Sequence, residues 1–305
     1  MRLRAERDNG GPMSLDHPLR RALPLVLAAG VCFCTLDATA KYLIQDHALF
    51  LVVWARYAGQ ALVVTPISWH RGGHRFWVTR HPRTQLVRSL CLVSATLCFF
   101  GGLKYVPLAE GSAITFMAPL FAILLALPVL GERPTRARWL AAFGGFAGIL
   151  LLVRPGSAVF HPATVLLLGA ALSNAMYQLL TRRLPNDSPY TTLFYTALVG
   201  TGVLTLGLPF FESQGPLGWR EAFFFVLLGL LAGVGHWMFI TALQSAPASL
   251  LAPFTYVQML WATFYGWLLF DHLPDGLSAV GMAVIVASGV TLVVHERRRF
   301  LAATR

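Results

Sequence analysis

Charge is scarce in this chain. Asp, Glu, Lys and Arg make up only 12% of its 305 residues and 56% are apolar, so it cannot present a charged surface to water on all sides, and a soluble globular fold is excluded. The net charge of +11 does not gather on a groove or arm as in a nucleic-acid binder. It lies in short gaps between apolar runs, and no nucleic-acid partner is expected. Cysteines are few: Cys32, Cys34, Cys91 and Cys98 all fall inside apolar runs, without the placement of a disulfide framework or a zinc site. Catalytic signatures are missing too, with no Gly-x-x-x-x-Gly-Lys loop, no His-Glu-x-x-His and no Gly-x-Ser-x-Gly. No cofactor, metal or ATP drive is expected. The polar stretch Met1–His17 lacks a short apolar core ending in a cleavage site, so no cleaved leader is expected either.

Long apolar runs are what the chain has in abundance. A bilayer core of about 30 Å needs roughly 20 residues of helix. Division at charged, Pro-rich or Gly-rich breaks leaves ten pieces near that length: Leu23–Ile44, Ala48–Trp69, Thr84–Lys104, Pro107–Leu130, Ala137–Val153, Pro162–Thr181, Tyr190–Pro209, Glu221–Leu243, Pro247–Phe270 and Gly276–His295. Backbone groups in lipid must bond within their own segment, so the expected fold is an all-α membrane protein of ten transmembrane helices. Positive charge stays in the cytoplasm. With the N-terminus inside, 19 of 24 Lys and Arg fall in inner segments, Arg71, Arg75, Arg80, Arg83 and Arg88 among them, and Lys41, Arg56, Lys104, Arg154 and Arg220 in the outer half. An even count returns the C-terminus, with Arg297, Arg298 and Arg299, to the same side. Arg outnumbers Lys as in GC-rich bacterial genomes, which places the expected protein in a bacterial inner membrane with both termini cytoplasmic.

Shifted by 140 residues, Leu103–Val153 aligns with Leu243–Val293 without a gap: Pro107 meets Pro247, Thr115 meets Thr255, Phe116 meets Tyr256 and Pro134 meets Pro274. The prolines stand where helices begin. This predicts a cytoplasmic segment 1–22, five-helix repeats at 23–153 and 160–295, and a basic tail 296–305. Five is odd, so the second repeat enters the membrane from the opposite side and the repeats are inverted.

The run Leu103-Lys-Tyr-Val-Pro-Leu-Ala-Glu-Gly-Ser-Ala-Ile-Thr-Phe-Met-Ala-Pro119, with Leu130-Gly-Glu-Arg-Pro134, resembles the repeat core of EamA-type transporters in the drug/metabolite transporter superfamily. The resemblance continues through Gly144, Gly145 and Gly148 and returns at Ala242–Gln258 and Gly281–Gly289. It implies two inverted five-helix repeats around a central cavity and transport without ATP hydrolysis. Family substrates range over amino acids, nucleosides, S-adenosylmethionine and riboflavin, and the segments Asp37–Lys41 and Trp54–Tyr57 look like those of members that take up larger metabolites. Two departures stand out: Asp271-His272 replaces the Gly-Glu pair expected after helix 9, and Glu110 faces Leu250 across the repeat.

Ionisable groups inside spans face a cavity or a partner, and Asp37, Lys41, Arg56, Lys104 and Glu110 qualify. They point to an outward-facing polar vestibule that offers both charges to a zwitterionic solute. Each has a second reading. Asp37 and Lys41, one helical turn apart, suit mutual neutralisation. Glu110, in the first turn after Pro107, complements a helix N-terminus. Lys104 suits snorkelling to the interface. Arg56 lies about two turns deep, where a buried partner or a substrate is required. The candidate binding set adds Thr115 and Phe116 on helix 4, Asn174, Tyr177 and Gln178 on helix 6, His236 and Trp237 on helix 8, and Tyr256 and Gln258 on helix 9. Interhelical bonding, a structural His donor and aromatic packing are the alternatives for these. Gly144 and Gly148, and Gly229 and Gly233, suit close helix packing, with dimerisation the other reading, so monomer and homodimer both stay open. Pro119, Pro128 and Pro253 suit bends that act as hinges. The function expected is a secondary transporter of a small organic metabolite, working by alternating access and driven by the solute gradient. Its rivals are a membrane-embedded enzyme using Asp37, Glu110 or His236, and a structural or sensory bundle.

Overall fold

A computed structural model describes residues 16–131, 135–184, 187–210, 218–245, 251 and 254–303. Arg2, Arg4, Arg7, Arg133, Pro134, Pro247, Leu250, Pro253 and Arg305, invoked above, lie outside the described residues. The helices are α1 (Asp16–Asp46), α2 (Leu49–Gly72), α3 (Pro82–Leu103), α4 (Leu108–Thr115), α5 (Ala118–Leu130), α6 (Arg136–Leu152), α7 (Thr164–Arg182), α8 (Pro189–Gly207), α9 (Trp219–Ser245), α10 (Val257–Phe270) and α11 (Gly276–Ala303). No strand occurs among the described residues. Six spans are long and apolar enough to cross a membrane, and two shorter apolar helices, 257–270 and 276–292, accompany them. Large apolar side chains lie on the outside, Leu62 at 79% exposure and Leu206 at 77%. Repeated along several helices, such a surface belongs in lipid.

Helix starts follow local chemistry. The Thr135 hydroxyl accepts from the Arg138 N–H at the start of α6, the Ser188 hydroxyl accepts from the Tyr190 N–H at the start of α8, and Pro82 and Pro189 occupy first-turn positions where no N–H is needed.

The run expected as one helix over Pro107–Leu130 is broken in two. Pro119 has no N–H for the Thr115 carbonyl, and its ring crowds that carbonyl out of the helix. The chain turns instead: the Met117 N–H bonds to the Ile114 carbonyl at 3.0 Å, and Leu120 to Met117 at 2.9 Å. The break falls at Phe116. In the second repeat α10 begins just after Tyr256, the residue that the 140-residue shift pairs with Phe116.

The two halves interdigitate. The most extensive contacts pair α1 with α9, α3 with α7, α6 with α11, and α2 with both α9 and α8. Exchanging each helix of the first repeat for its counterpart in the second converts the α1–α9 pair into α7–α3, maps α2–α8 and α6–α11 onto themselves, and turns α1–α10 into the pairing of α7 with the α4–α5 segment. All of these contacts are present. At the α2–α9 crossing a Cβ on either Gly59 or Gly229 would collide with the other's backbone, and at α6–α11 one on Gly148 would meet the Gly281 carbonyl at 2.8 Å. The glycine pairs therefore serve packing inside one chain.

Candidate functional site

Arg56 sits on α2 with 7% exposure. Its guanidinium lies over the Tyr57 ring, 4.7 Å from the centroid, and its Nε and Nη1 have no hydrogen-bond partner among the described residues. It acts electrostatically on Asp37 of α1 and on His236 of α9. Asp37 is partly exposed. The His236 ring packs edge-on against Phe33, centroids 4.9 Å apart, and its Nδ1 lies 2.7 Å from the Ala232 carbonyl. A carbonyl only accepts, so Nδ1 carries the proton in this contact. Beside His236, Trp237 holds a buried indole N–H without a partner among the described residues. One turn from Arg56, Gln60 is fully buried, and among the described residues neither its amide nitrogen nor its oxygen is bonded. The sequence reading passed over Gln60 because a neutral amide in a span draws no attention beside a charge.

Lys41 does not neutralise Asp37, although the two are one turn apart. Its Nζ donates to the Leu103 carbonyl at 2.5 Å and the Val106 carbonyl at 2.8 Å, and it lies over the Phe270 ring at 5.5 Å. The Leu103 carbonyl ends α3 without an intrahelical donor at the negative end of the helix dipole, and the Val106 carbonyl follows in the turn before α4, so the two together hold the ammonium. Asp37 is left to Arg56.

Glu110 opens α4 as expected, and it also has a partner from the other repeat. His272 Nε2 meets its Oε1 at 3.0 Å, while Oε2 has no partner among the described residues and the side chain is 1% exposed. Asp271 makes this contact possible. It adopts the left-handed conformation at φ 50° that Gly131 adopts at 74° in the first repeat, and the N–H groups of Asp271 and His272 bond back to the Trp267 and Gly266 carbonyls at 3.1 and 3.0 Å. That reversal closes α10 and turns His272 toward Glu110. The departure from the family pattern thus builds a bridge between repeats. A cleft of about 310 Å³ opens beside it, lined by Lys41, Lys104, Tyr105, Pro107, Phe270 and His272. Lys104 is exposed there, which fits snorkelling.

Phe116 and Tyr256 stack, ring centroids 5.3 Å apart at 30°. The two equivalent breaks in the repeats therefore meet through their aromatic rings. Thr115 is locally satisfied, its hydroxyl donating to the Ser112 carbonyl at 2.7 Å. Gln258 contributes its carbonyl to the Cys34 thiol at 3.1 Å. The α7 candidates go elsewhere. Gln178 is exposed, Asn174 partly so, and Tyr177 lies under the Arg88 guanidinium, 4.8 Å from the ring centroid. Arg88 itself is no loop charge: it is 1% exposed and bonded to Gln85, Thr192 and Thr196.

The EamA-like transporter family model matches residues 20–154 and 161–294. A riboflavin transporter of Vibrio cholerae is 30% identical over 288 residues, covering 93% of this chain and 96% of its own. An S-adenosylmethionine uptake transporter of Rickettsia felis is 25% identical, with 86% and 88% covered. A crystal structure sharing 21% identity superposes with a TM-score of 0.66 over 91% of this chain and 98% of that one, which shows the same fold. With a two-repeat helical fold, a lipid-facing exterior and a family match over both halves, this chain belongs to the EamA-like transporter family and is a multi-pass membrane transporter of a small-molecule substrate rather than an enzyme.

Proposed function

We propose that the chain is a ten-span secondary transporter of a planar, largely neutral heterocyclic metabolite of the riboflavin kind, bound between α1, α2 and α9. The observation that carries this reading is the Arg56, Asp37 and His236 group, which joins a buried cation with spare donors, one acid and one imidazole. Arg56 and Asp37 balance each other, so the site favours a solute without net charge. Phe116, Tyr256 and Trp237 offer flat faces to a ring system. The similarity to a riboflavin transporter over 93% of the chain supports the same class.

The repeats, taken as 23–153 and 160–295 and inverted, rock about the breaks at Phe116 and Tyr256 in an alternating-access cycle. Both termini face the cytoplasm of a bacterial cell and the Lys104 end faces outward, a reading that the distribution of Arg supports. Both deep acids have a basic neighbour, Arg56 for Asp37 and His272 for Glu110, which supports drive by the solute gradient rather than by protons. Counterflow of labelled riboflavin in proteoliposomes, with and without an imposed pH gradient, tests the reading. Exchange independent of the pH gradient is expected. Accumulation that collapses with a protonophore overturns the solute-gradient drive, and absence of exchange for riboflavin and a panel of metabolites overturns the carrier.

A further inference from the structure

Gln60 is the most heavily buried uncharged polar side chain in the middle of α2, at 0% exposure, and both ends of its carboxamide lack a partner among the described residues. A buried amide left in this state forfeits its hydration without recompense, and such groups are rare in proteins unless a function needs them. Arg56 stands one turn away on the same buried face, with Val53 and Val64 continuing it, and leaves two further N–H donors, on Nε and Nη1, unbonded. Residues four apart on a helix are surface neighbours. The unbonded atoms therefore share one buried face of α2 a turn apart, three donor nitrogens with a single acceptor, near the Gly59–Gly229 contact and the packing of Tyr57 against Gly200.

Resting on the carrier reading above, we propose that Gln60 and Arg56 form the part of the binding site that reads a cyclic amide or imide edge of the solute. The Gln60 carboxamide pairs reciprocally with an adjacent ring N–H and C=O, and Arg56 donates to a second ring carbonyl. Other ligand classes satisfy these atoms only in part. A carboxylate accepts from Arg56 and the Gln60 nitrogen but leaves the Gln60 oxygen orphaned. An ammonium serves that oxygen, leaves the nitrogen orphaned and meets the Arg56 charge. An apolar ring leaves every one of them unserved. An N–H flanked by carbonyls offers both a donor and acceptors along one planar edge, and with Asp37 compensating Arg56 the ligand needs no charge of its own. Because these atoms are sealed in this conformation, the pairing forms only when the cavity opens onto α2, so binding and opening are coupled.

The test uses the full-length purified protein, with Gln60→Leu as a near-isosteric apolar replacement. Two properties are read: the melting temperature of the ligand-free protein, and binding of riboflavin and of riboflavin methylated on its imide nitrogen, followed by flavin fluorescence. Wild type is expected to prefer riboflavin over the methylated form by about tenfold or more, in line with one or two hydrogen bonds to a desolvated edge. Gln60→Leu should lose that preference and melt at or above the wild-type temperature, since it removes orphaned polar atoms. A variant that melts lower and keeps the wild-type preference makes Gln60 a structural residue and overturns the proposal. In proteoliposomes, riboflavin, uridine and thymine are compared with glutamate and choline, which lack the edge. Transport confined to glutamate or choline overturns the amide reading and leaves the carrier standing. Transport of none of the five, nor of the wider panel, removes the carrier and this inference with it.

Discussion

Among the described residues two arginines are buried, each stacked on a tyrosine at nearly the same distance, 4.7 Å for Arg56 on Tyr57 and 4.8 Å for Arg88 on Tyr177, yet their hydrogen bonding differs. Arg88 is engaged through two of its nitrogens: Nε donates to the Gln85 side chain at 3.2 Å, and Nη2 donates to the Thr192 carbonyl at 2.5 Å and the Thr196 hydroxyl at 2.6 Å. The network extends outward, with Gln85 and Thr79 both donating to Asp187 at 2.8 and 2.6 Å. It ties α3 to α7, to α8 and to the segment before α3. Arg56 keeps Nε and Nη1 unbonded. A buried charge with its donors satisfied holds elements together, whereas one with spare donors is poised for something that arrives later. α9, the counterpart of α3 in the second repeat, buries the apolar Leu228 and Ala232 instead. One end of the bundle is thus latched by a polar network where the equivalent interface at the other end is greasy. That asymmetry fits a carrier caught closed at the Arg88 end and cleft at the Lys104 end.

The largest effect should come from breaking the satisfied arginine. Arg88→Met removes three bonds from a charged donor and orphans their acceptors, so apparent stability should fall by about 3–5 kcal/mol. The readout is a lower melting temperature in detergent and loss of the monodisperse fraction. Arg56→Gln should do the reverse, with wild-type melting but transport reduced by roughly 10- to 150-fold, the worth of one charge-assisted bond to the solute. Arg56→Lys should recover little, since a point charge does not reproduce a planar fork. If Arg56→Gln melts as low as Arg88→Met, the distinction between the two sites collapses.

A smaller effect tests whether Asp37 belongs to Arg56 rather than to Lys41. Asp37→Asn leaves the Arg56 charge uncompensated and should lower the melting temperature. Adding Arg56→Gln should restore it, with a coupling of about 1 kcal/mol, while pairing Asp37→Asn with Lys41→Met should show none. Transport stays impaired in all of these variants.

Where the apolar runs lie, and which residues are charged within them, was readable from residue order alone, since a span must be long and greasy and Pro punctuates it. Pro119 was readable as a bend within one span over Pro107–Leu130, but the full break at the aromatic Phe116, opposite Tyr256, needed three dimensions. Partners were the least readable. Lys41 and Asp37 share a helix face, so spacing pairs them, but the carbonyls at and just after the end of α3 come from residues more than sixty positions away. The same limit hid the His272 contact to Glu110, which depends on Asp271 taking a conformation usually left to glycine. Arg88 looked like one more cytoplasmic cation because a sequence shows where a charge is and not what has been folded around it.

The smallest effect concerns a third arginine, one that water still reaches. Arg154 donates through Nη1 to the Leu151 carbonyl at 2.7 Å and through Nη2 to Asp275 at 2.6 Å. Asp275 in turn accepts the Ser278 N–H at 2.8 Å and caps α11, so the pair clips the end of α6 to the start of α11. The Arg154 hydrogen bond, followed by that of Ser278, lowers the Asp275 carboxyl to about 2. Its value in the unfolded chain is about 3.9, so the folded state holds the charged form more strongly. The stabilisation is complete above about pH 4 and is lost as the pH falls through about 2. The difference in melting temperature between wild type and Asp275→Asn should therefore stay constant from neutrality down to about pH 4, then shrink toward zero over the next two units. Both side chains are open to solvent, 26% for Arg154 and 50% for Asp275, so the difference should be small throughout and fade further with added salt. The Arg88→Met deficit should be insensitive to salt, because its network is shielded from ions. Equal salt dependence for the two variants would mean that burial, the property on which the comparison of the arginines rests, does not separate them.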